Sequence, residues 1–428
     1  MKSLRNTALG LALGVTGASM AMAGELTIAT VNNGHMIEMQ KLTPEFEAAN
    51  PGITVNWVTL DEGTLRSRVT TDITTKGGQF DIMTIGMYEA PIWGERGWLE
   101  PLEFDAAYDV NDILPAMRGG LSYDGKLYAA PFYGESSMIM YRKDLLDAAG
   151  MTMPDNPTWG HVQDAAAAMT DKAAGQYGIC LRGKPGWGDN MAFLTTMANS
   201  FGAQWFNEDW TPALDSAAWN HAVTFYKDLL DNYGPPGSSA NSFNEILALM
   251  NEGKCGMWID ATIAASFIEN PNMAYAQSPV AVTNRGANWL WAWSLAIPAG
   301  TKQKDDAMKF MEWATSKSYI ELVAKTNGWG KVPTGTRQST YDNADFLAAA
   351  PFAKAELKAI LSADPENSTQ NPSPYTGVQF AAIPEFQAIG TAVGQQMTAV
   401  LAGDISVEEG LANAQKAADR EMKKAGYY

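Results

Sequence analysis

Leu26-Thr27-Ile28-Ala29-Thr30-Val31, stopped by Asn32-Asn33-Gly34, opens the stretch that decides the fold. Its alternation reads as a strand, and the turn residues end it. Met39, Leu42 and Phe46 then share one helical face until Asn50-Pro51-Gly52 stops the helix. Ile53 to Leu60 reads as a second strand, Arg66 to Thr75 as a helix closed by Gly77-Gly78, and Phe80 to Ile85 as a third, mostly apolar strand. Strand, helix, strand, helix, strand predicts a parallel α/β sheet covered on both faces. Ligands of such sheets sit at the carboxyl ends of the strands. That rule singles out Asn32 to His35, Asp61 and Glu62, and Gly86 to Glu89.

Downstream, Leu127 to Phe132 and Ser137 to Tyr141 read as strands. Thr158 is placed to cap a helix carrying the run Ala165 to Ala168. Ala218 to Leu230 is amphipathic, and Gly234-Pro235-Pro236-Gly237 is a turn. Phe243 to Met250 reads as a helix, Cys255 to Asp260 and Trp289 to Pro298 as strands, and Asp305 to Ser316 as a helix. Ser406 with Glu409 has capping-box spacing at the start of the last helix. No solenoid-period repeat interrupts this pattern.

A chain of 428 residues is too long for one ordinary domain. With 46% apolar and 18% charged residues it can bury a large core. Its 47 acidic against 30 basic residues, net −17, argue against nucleic acid or an anionic membrane surface as partner. Lys2 and Arg5 precede a short apolar run, and Ala21-Met22-Ala23 follows, which is the pattern of a cleaved secretory signal ending at Ala23. The mature chain then begins at Gly24 in an oxidising compartment, with no membrane insertion expected. Export permits a disulfide between the only cysteines, Cys180 and Cys255. Two small buried thiols fit equally, since sequence does not supply the Cα separation.

Dinucleotide, phosphate-loop, zinc-protease and serine-hydrolase motifs are all missing from the sequence. His35, His161 and His221 have no metal-ligand spacing, so no metal and no cofactor is expected. A pair of acids spaced for glycoside hydrolysis stays open, because sequence hides separation.

Four ordered segments carry a family resemblance: Phe46 to Val55; Gly125 to Pro131; Trp293 to Thr301 with Ala307-Met308-Lys309-Phe310; and Ser406 to Leu411. Together they resemble the extracellular solute-binding proteins of ATP-driven importers, in the carbohydrate-binding branch with a maltose-binding-like fold. Within it the chain is most similar to periplasmic binding proteins for sorbitol and mannitol. The resemblance implies two α/β lobes joined by a hinge of about three strands that closes over the ligand. It implies lobes of residues 24–130 with 279–332 and 131–278 with 333–428. It implies a monomeric, non-enzymatic receptor that delivers a small neutral polyhydroxylated ligand, of the sorbitol, mannitol or arabitol kind, to ABC permease subunits. A mono- or oligosaccharide receptor and a secreted carbohydrate-active enzyme are the alternatives.

A neutral polyol needs a donor or acceptor for each hydroxyl and flat apolar faces for its C–H edges. Asn33 and Tyr88 follow the first and third strands. Tyr133 and Glu135 lie just past the expected crossover. Arg182 ends the run Tyr177 to Leu181 and can donate a rigid fork, with Trp187 in the same loop. Asp260 ends the strand from Cys255, where it can also cap a following helix. Trp291 and Trp293 alternate with Trp289 on one face. Many members of the family carry glycine at Trp291, so an indole there implies a small ligand. Trp329 at the third crossover and Tyr375 after Pro372-Ser373-Pro374 complete the candidates.

Overall fold

The computed structural model describes residues 24–428, and the export signal expected at 1–23 lies outside them. The opening stretch folds as its periodicity predicts. β1 (Gly24–Val31), α1 (Gly34–Ala49), β2 (Ile53–Leu60), α2 (Glu62–Thr75) and β3 (Ile82–Ile85) follow one another. Next come α3 (Glu89–Glu95), the small hairpin β4 (Ser122–Tyr123) and β5 (Lys126–Leu127), then β6 (Ala130–Glu135) and β7 (Ser137–Arg142). The strands β8 (Met257–Ala261), β9 (Met273–Gln277) and β10 (Trp291–Ala296) are set among helices.

The strands form two separate main sheets, one per lobe. The first has the order β2-β1-β3-β10-β6 and the second β8-β7-β9. β1 pairs in parallel with β2 and β3, as the βαβ pattern requires. The sheet is nevertheless mixed, because β10 runs antiparallel to both β3 and β6. The expectation of a parallel sheet fails here because β10 arrives from the other lobe rather than through a crossover helix. The first sheet also keeps β6 as far as Glu135, past the crossover expected after residue 130. Ser136 alone separates it from β7 in the second sheet.

The segment 332–335 runs beside this crossover. Gly134 N–H donates to the Thr334 carbonyl at 2.8 Å. Gly335 sits at φ 76° directly against Gly134. A Cβ on either residue would collide with the other's backbone, so the two segments touch with no side chain between them.

Cys180 and Cys255 form a disulfide, with Cα atoms 6.0 Å apart. Parallel bridges pair Tyr177 with Cys255 and Cys180 with Trp258, so the Tyr177 to Leu181 run lies along β8. This settles the choice left open between bridge and thiols. Thr158 caps its helix through the His161 N–H, and Ser406 caps the last helix (Val407–Ala425) through Glu409 N–H.

Candidate functional site

A narrow cavity of about 30 Å³ lies between the two sheets. Asn33, Glu62, Arg66, Tyr133, Glu135, Trp291 and Trp293 line one side, and Arg182, Trp187, Gly188, Ala192 and Phe243 the other. Trp289 and Gln379 complete the wall.

Local structure explains how each group arrives there. Asn33 takes the extended N-cap conformation ahead of α1, at φ −81°, but does not cap with its side chain. Its amide N–H donates instead to Tyr133 Oη at 2.8 Å. Asp61 does cap α2, accepting from Thr64 N–H, which fixes the first turn. Glu62 and Arg66 then stack one turn apart, and Arg66 Nη2 reaches Glu62 Oε1 at 2.8 Å. Arg66 Nη1 bonds Glu89 Oε1 at 2.8 Å, and Glu89 Oε2 accepts from Gly86 N–H. Above this pair network the Arg66 guanidinium lies 4.0 Å from the Trp187 ring, 4.7 Å from Trp293 and 4.8 Å from Trp291.

Arg182 is held differently. Its Nε and Nη2 grip Asp260 Oδ2 and Oδ1 at 2.7 and 2.6 Å, and Nη1 donates to the Gly188 carbonyl at 2.9 Å. Asp260 is fully buried and also accepts from Trp258 Nε1–H and Ala261 N–H. Burial pulls the Arg182 pKa down, but Asp260 and Glu62 beside it more than reverse this, and the net shift is upward.

Glu135 is the contrast. It is buried at the end of β6 with no hydrogen-bond partner for its carboxyl among the described residues. Burial drives its pKa well above the usual carboxylate range, helped by Asp260, Glu62 and Glu356 and opposed by Arg182. Asp189, bonded by the Ser242 hydroxyl, is likewise pushed up to about 6 by burial and Glu62. His35 packs against Tyr133 with ring centroids 5.4 Å apart, and burial with nearby Lys331 pushes it down to about 3. The indole N–H groups of Trp187, Trp289 and Trp291 are buried and unpartnered among the described residues.

Six of the ten residues singled out from sequence line the cavity: Asn33, Tyr133, Glu135, Arg182, Trp291 and Trp293. The other four do not. Tyr88 Oη reaches the Ile383 and Pro384 carbonyls at 3.0 Å and ties α3 to the C-terminal segment. Asp260 accepts four hydrogen bonds from protein groups, two of them from Arg182. Trp329 is half-buried against the core in the short turn Trp329–Lys331, and Tyr375 Oη accepts from Trp205 N–H at 3.0 Å. Arg66, Phe243 and Gln379 were not legible as site residues. Arg66 alone carried a signal, one helical turn after Glu62 at a strand's carboxyl end. Gly86 has a role only the structure reveals: a Cβ there would overlap the Trp291 indole, so its absence seats the ring.

Among the described residues no cluster of His, Cys, Asp and Glu could hold a metal, and no helix is long and apolar enough to cross a membrane. Two α/β lobes meeting over a buried slot of arginines, acids and indoles define a two-lobe solute receptor of maltose-binding-like fold. The sequence pattern of the bacterial extracellular solute-binding proteins matches residues 33–321, and the chain belongs to that family. It is 52% identical to the mannitol-binding protein of Pseudomonas aeruginosa, over 95% of this chain and 94% of that one. A crystal structure of an ABC transporter solute-binding protein from Agrobacterium vitis with bound D-mannitol is 59% identical, with TM-score 0.93 over 94% of this chain and 99% of that one. Another from Agrobacterium radiobacter, in complex with ribitol, is 25% identical, with TM-score 0.81 over 93% and 98%.

Proposed function

We propose that this protein is the periplasmic substrate-binding component of an ABC importer for a sugar alcohol, with D-mannitol the first candidate. The observation that carries this reading is the 59%-identical structure that holds D-mannitol on the same fold. The slot's chemistry supports it. Arg66 and Arg182, three unpartnered indole N–H groups, Asn33, Tyr133 and Gln379 offer donors and acceptors to a chain of hydroxyls. The aromatic walls suit its C–H edges. The narrow void with Trp291 seated against Gly86 favours an unbranched small ligand over an oligosaccharide.

In this reading Asn33, Tyr133, Glu135, Arg182, Trp291 and Trp293 contact the ligand with Arg66 and Trp187. Asp260 positions Arg182, and Tyr88, Trp329 and Tyr375 hold the surrounding frame. The lobes comprise residues 24–135 with 291–332 and 137–277 with 333–428. Ligand binding draws them together, and the closed receptor docks on the permease as a monomer with no chemistry of its own. Residues 1–23 are removed on export, so mass spectrometry of the exported protein gives a chain starting at Gly24.

A thermal-shift screen against hexitols, pentitols, monosaccharides and disaccharides tests the ligand class. A ligand at 100 times its Kd adds about 2.7 kcal/mol, enough to raise the melting temperature by several degrees. A shift with mannitol, sorbitol or arabitol supports the reading. A shift confined to cyclic sugars keeps the fold and overturns the polyol assignment.

A further inference from the structure

Four carboxyl groups, Glu62, Glu89, Asp260 and Glu135, surround the slot's two guanidiniums. Both guanidiniums are already committed: Arg66 to Glu62 and Glu89, Arg182 to Asp260. The third donor edge of Arg182 goes to the Gly188 carbonyl. Glu135 is 7% exposed, points its burial at this same slot, and has no cation or hydrogen-bond donor of its own among the described residues. The charged and titratable groups facing it are Arg182, Asp260 on β8, Glu62 on α2, Glu356 on the helix Ala353–Ser362 and Tyr133 on its own strand. Three of these are acids, and the one cation is already paired. A neutral polyol brings no charge that would compensate a carboxylate.

We propose that Glu135 engages the ligand as a neutral carboxylic acid, donating its O–H to a ligand hydroxyl oxygen, so that closing the cleft takes up one proton from solvent. This rests on the polyol reading. The balance is simple: in the open, hydrated cleft the carboxylate is ionised, a solvent proton forms the O–H bond as water leaves, and that proton stays on Glu135 while the lobes are shut. The group then offers one donor and one acceptor, where a carboxylate would only accept. Burial of an unpaired charge is avoided by neutralising it.

Titration calorimetry with D-mannitol at pH 6 and pH 8, in phosphate and in Tris, tests this on the mature protein and on Glu135→Gln. The wild type binds at least about tenfold tighter at pH 6 than at pH 8, which corresponds to taking up about half a proton or more per ligand on average across that range. In Glu135→Gln the pH ratio falls below about threefold and the uptake is lost. Asp189 and Glu356, held up to about 6 and about 7, are present in both proteins, so the difference belongs to Glu135. A melting temperature close to wild type establishes that the variant is folded. Equal wild-type affinity at the two pH values with no proton uptake overturns the neutral acid and leaves the polyol reading intact. So does a variant with the wild-type pH ratio. No heat from mannitol at either pH sinks the polyol reading and this inference with it.

Discussion

Arg66 and Arg182 enter one slot from opposite lobes, and they are held in place by different physics. Arg182 is clamped by charge: it grips a bidentate carboxylate that is itself fully saturated, and the disulfide at Cys180 lies two residues before it. Arg66 is clamped by shape as well, nested among Trp187, Trp291 and Trp293 and tied to two glutamates. Trp187 belongs to the loop that follows Arg182, so the Arg66 nest is assembled across the cleft. One arginine is preorganised within its lobe. The other is completed only when the lobes meet.

Removing Asp260 tests the first half most severely. Asp260→Ala strips the buried Arg182 of its bidentate partner and leaves only Glu62, 3.9 Å from Nη1, as counter-charge, and urea unfolding will show a loss of about 3–5 kcal/mol. A loss under about 1 kcal/mol would mean that Arg182 reaches solvent, and the contrast between the two arginines would collapse. The disulfide comes next. Replacing Cys180 and Cys255 together by Ser lowers stability by about 2–4 kcal/mol. It weakens mannitol binding too, because the Tyr177 to Leu181 run loses its fixed place beside β8.

Asp189 probes the same side through pH. Its folded pKa is raised to about 6, so the proton it holds contributes stability below about pH 4 that is lost as pH rises through 6. Asp189→Asn lacks that loss and gains about 2 kcal/mol on the wild type between pH 4 and pH 7 in melting experiments. The smallest effect falls on the shape-held partner. Arg66→Lys keeps the charge but loses the fork and the flat stacking face, and mannitol affinity drops about tenfold with little change in stability. An unaltered affinity would show that charge alone is needed there.

The same contrast marks what the sequence made legible. The periodicity of residues 26–85 predicted β1, α1, β2 and β3 and so placed Asn33 at a strand's carboxyl end. Arg182, Trp291 and Trp293 stood out for the same reason, as strand-end or strand-face residues. Arg66 lies inside a helix whose rotation is set by the Asp61 cap, and a period-3.6 pattern does not say what its polar face meets. Asp260 was read as a ligand group because a lone acid at a strand end looks available; only tertiary contact shows its oxygens taken. β10 misled the sheet reading because its neighbours come from distant chain segments.

The crowding of indoles in the slot also makes the protein its own optical probe. Four of its 14 tryptophans, Trp187, Trp289, Trp291 and Trp293, line the cleft, with the Trp187 and Trp291 rings 5.7 Å apart and edge-on. Opening the lobes carries Trp187 away from Arg66 and Trp291 and wets its ring, and indole emission responds to both charge and water. Intrinsic fluorescence therefore follows the gate in real time with no attached dye, and Trp187→Phe assigns the signal to one residue.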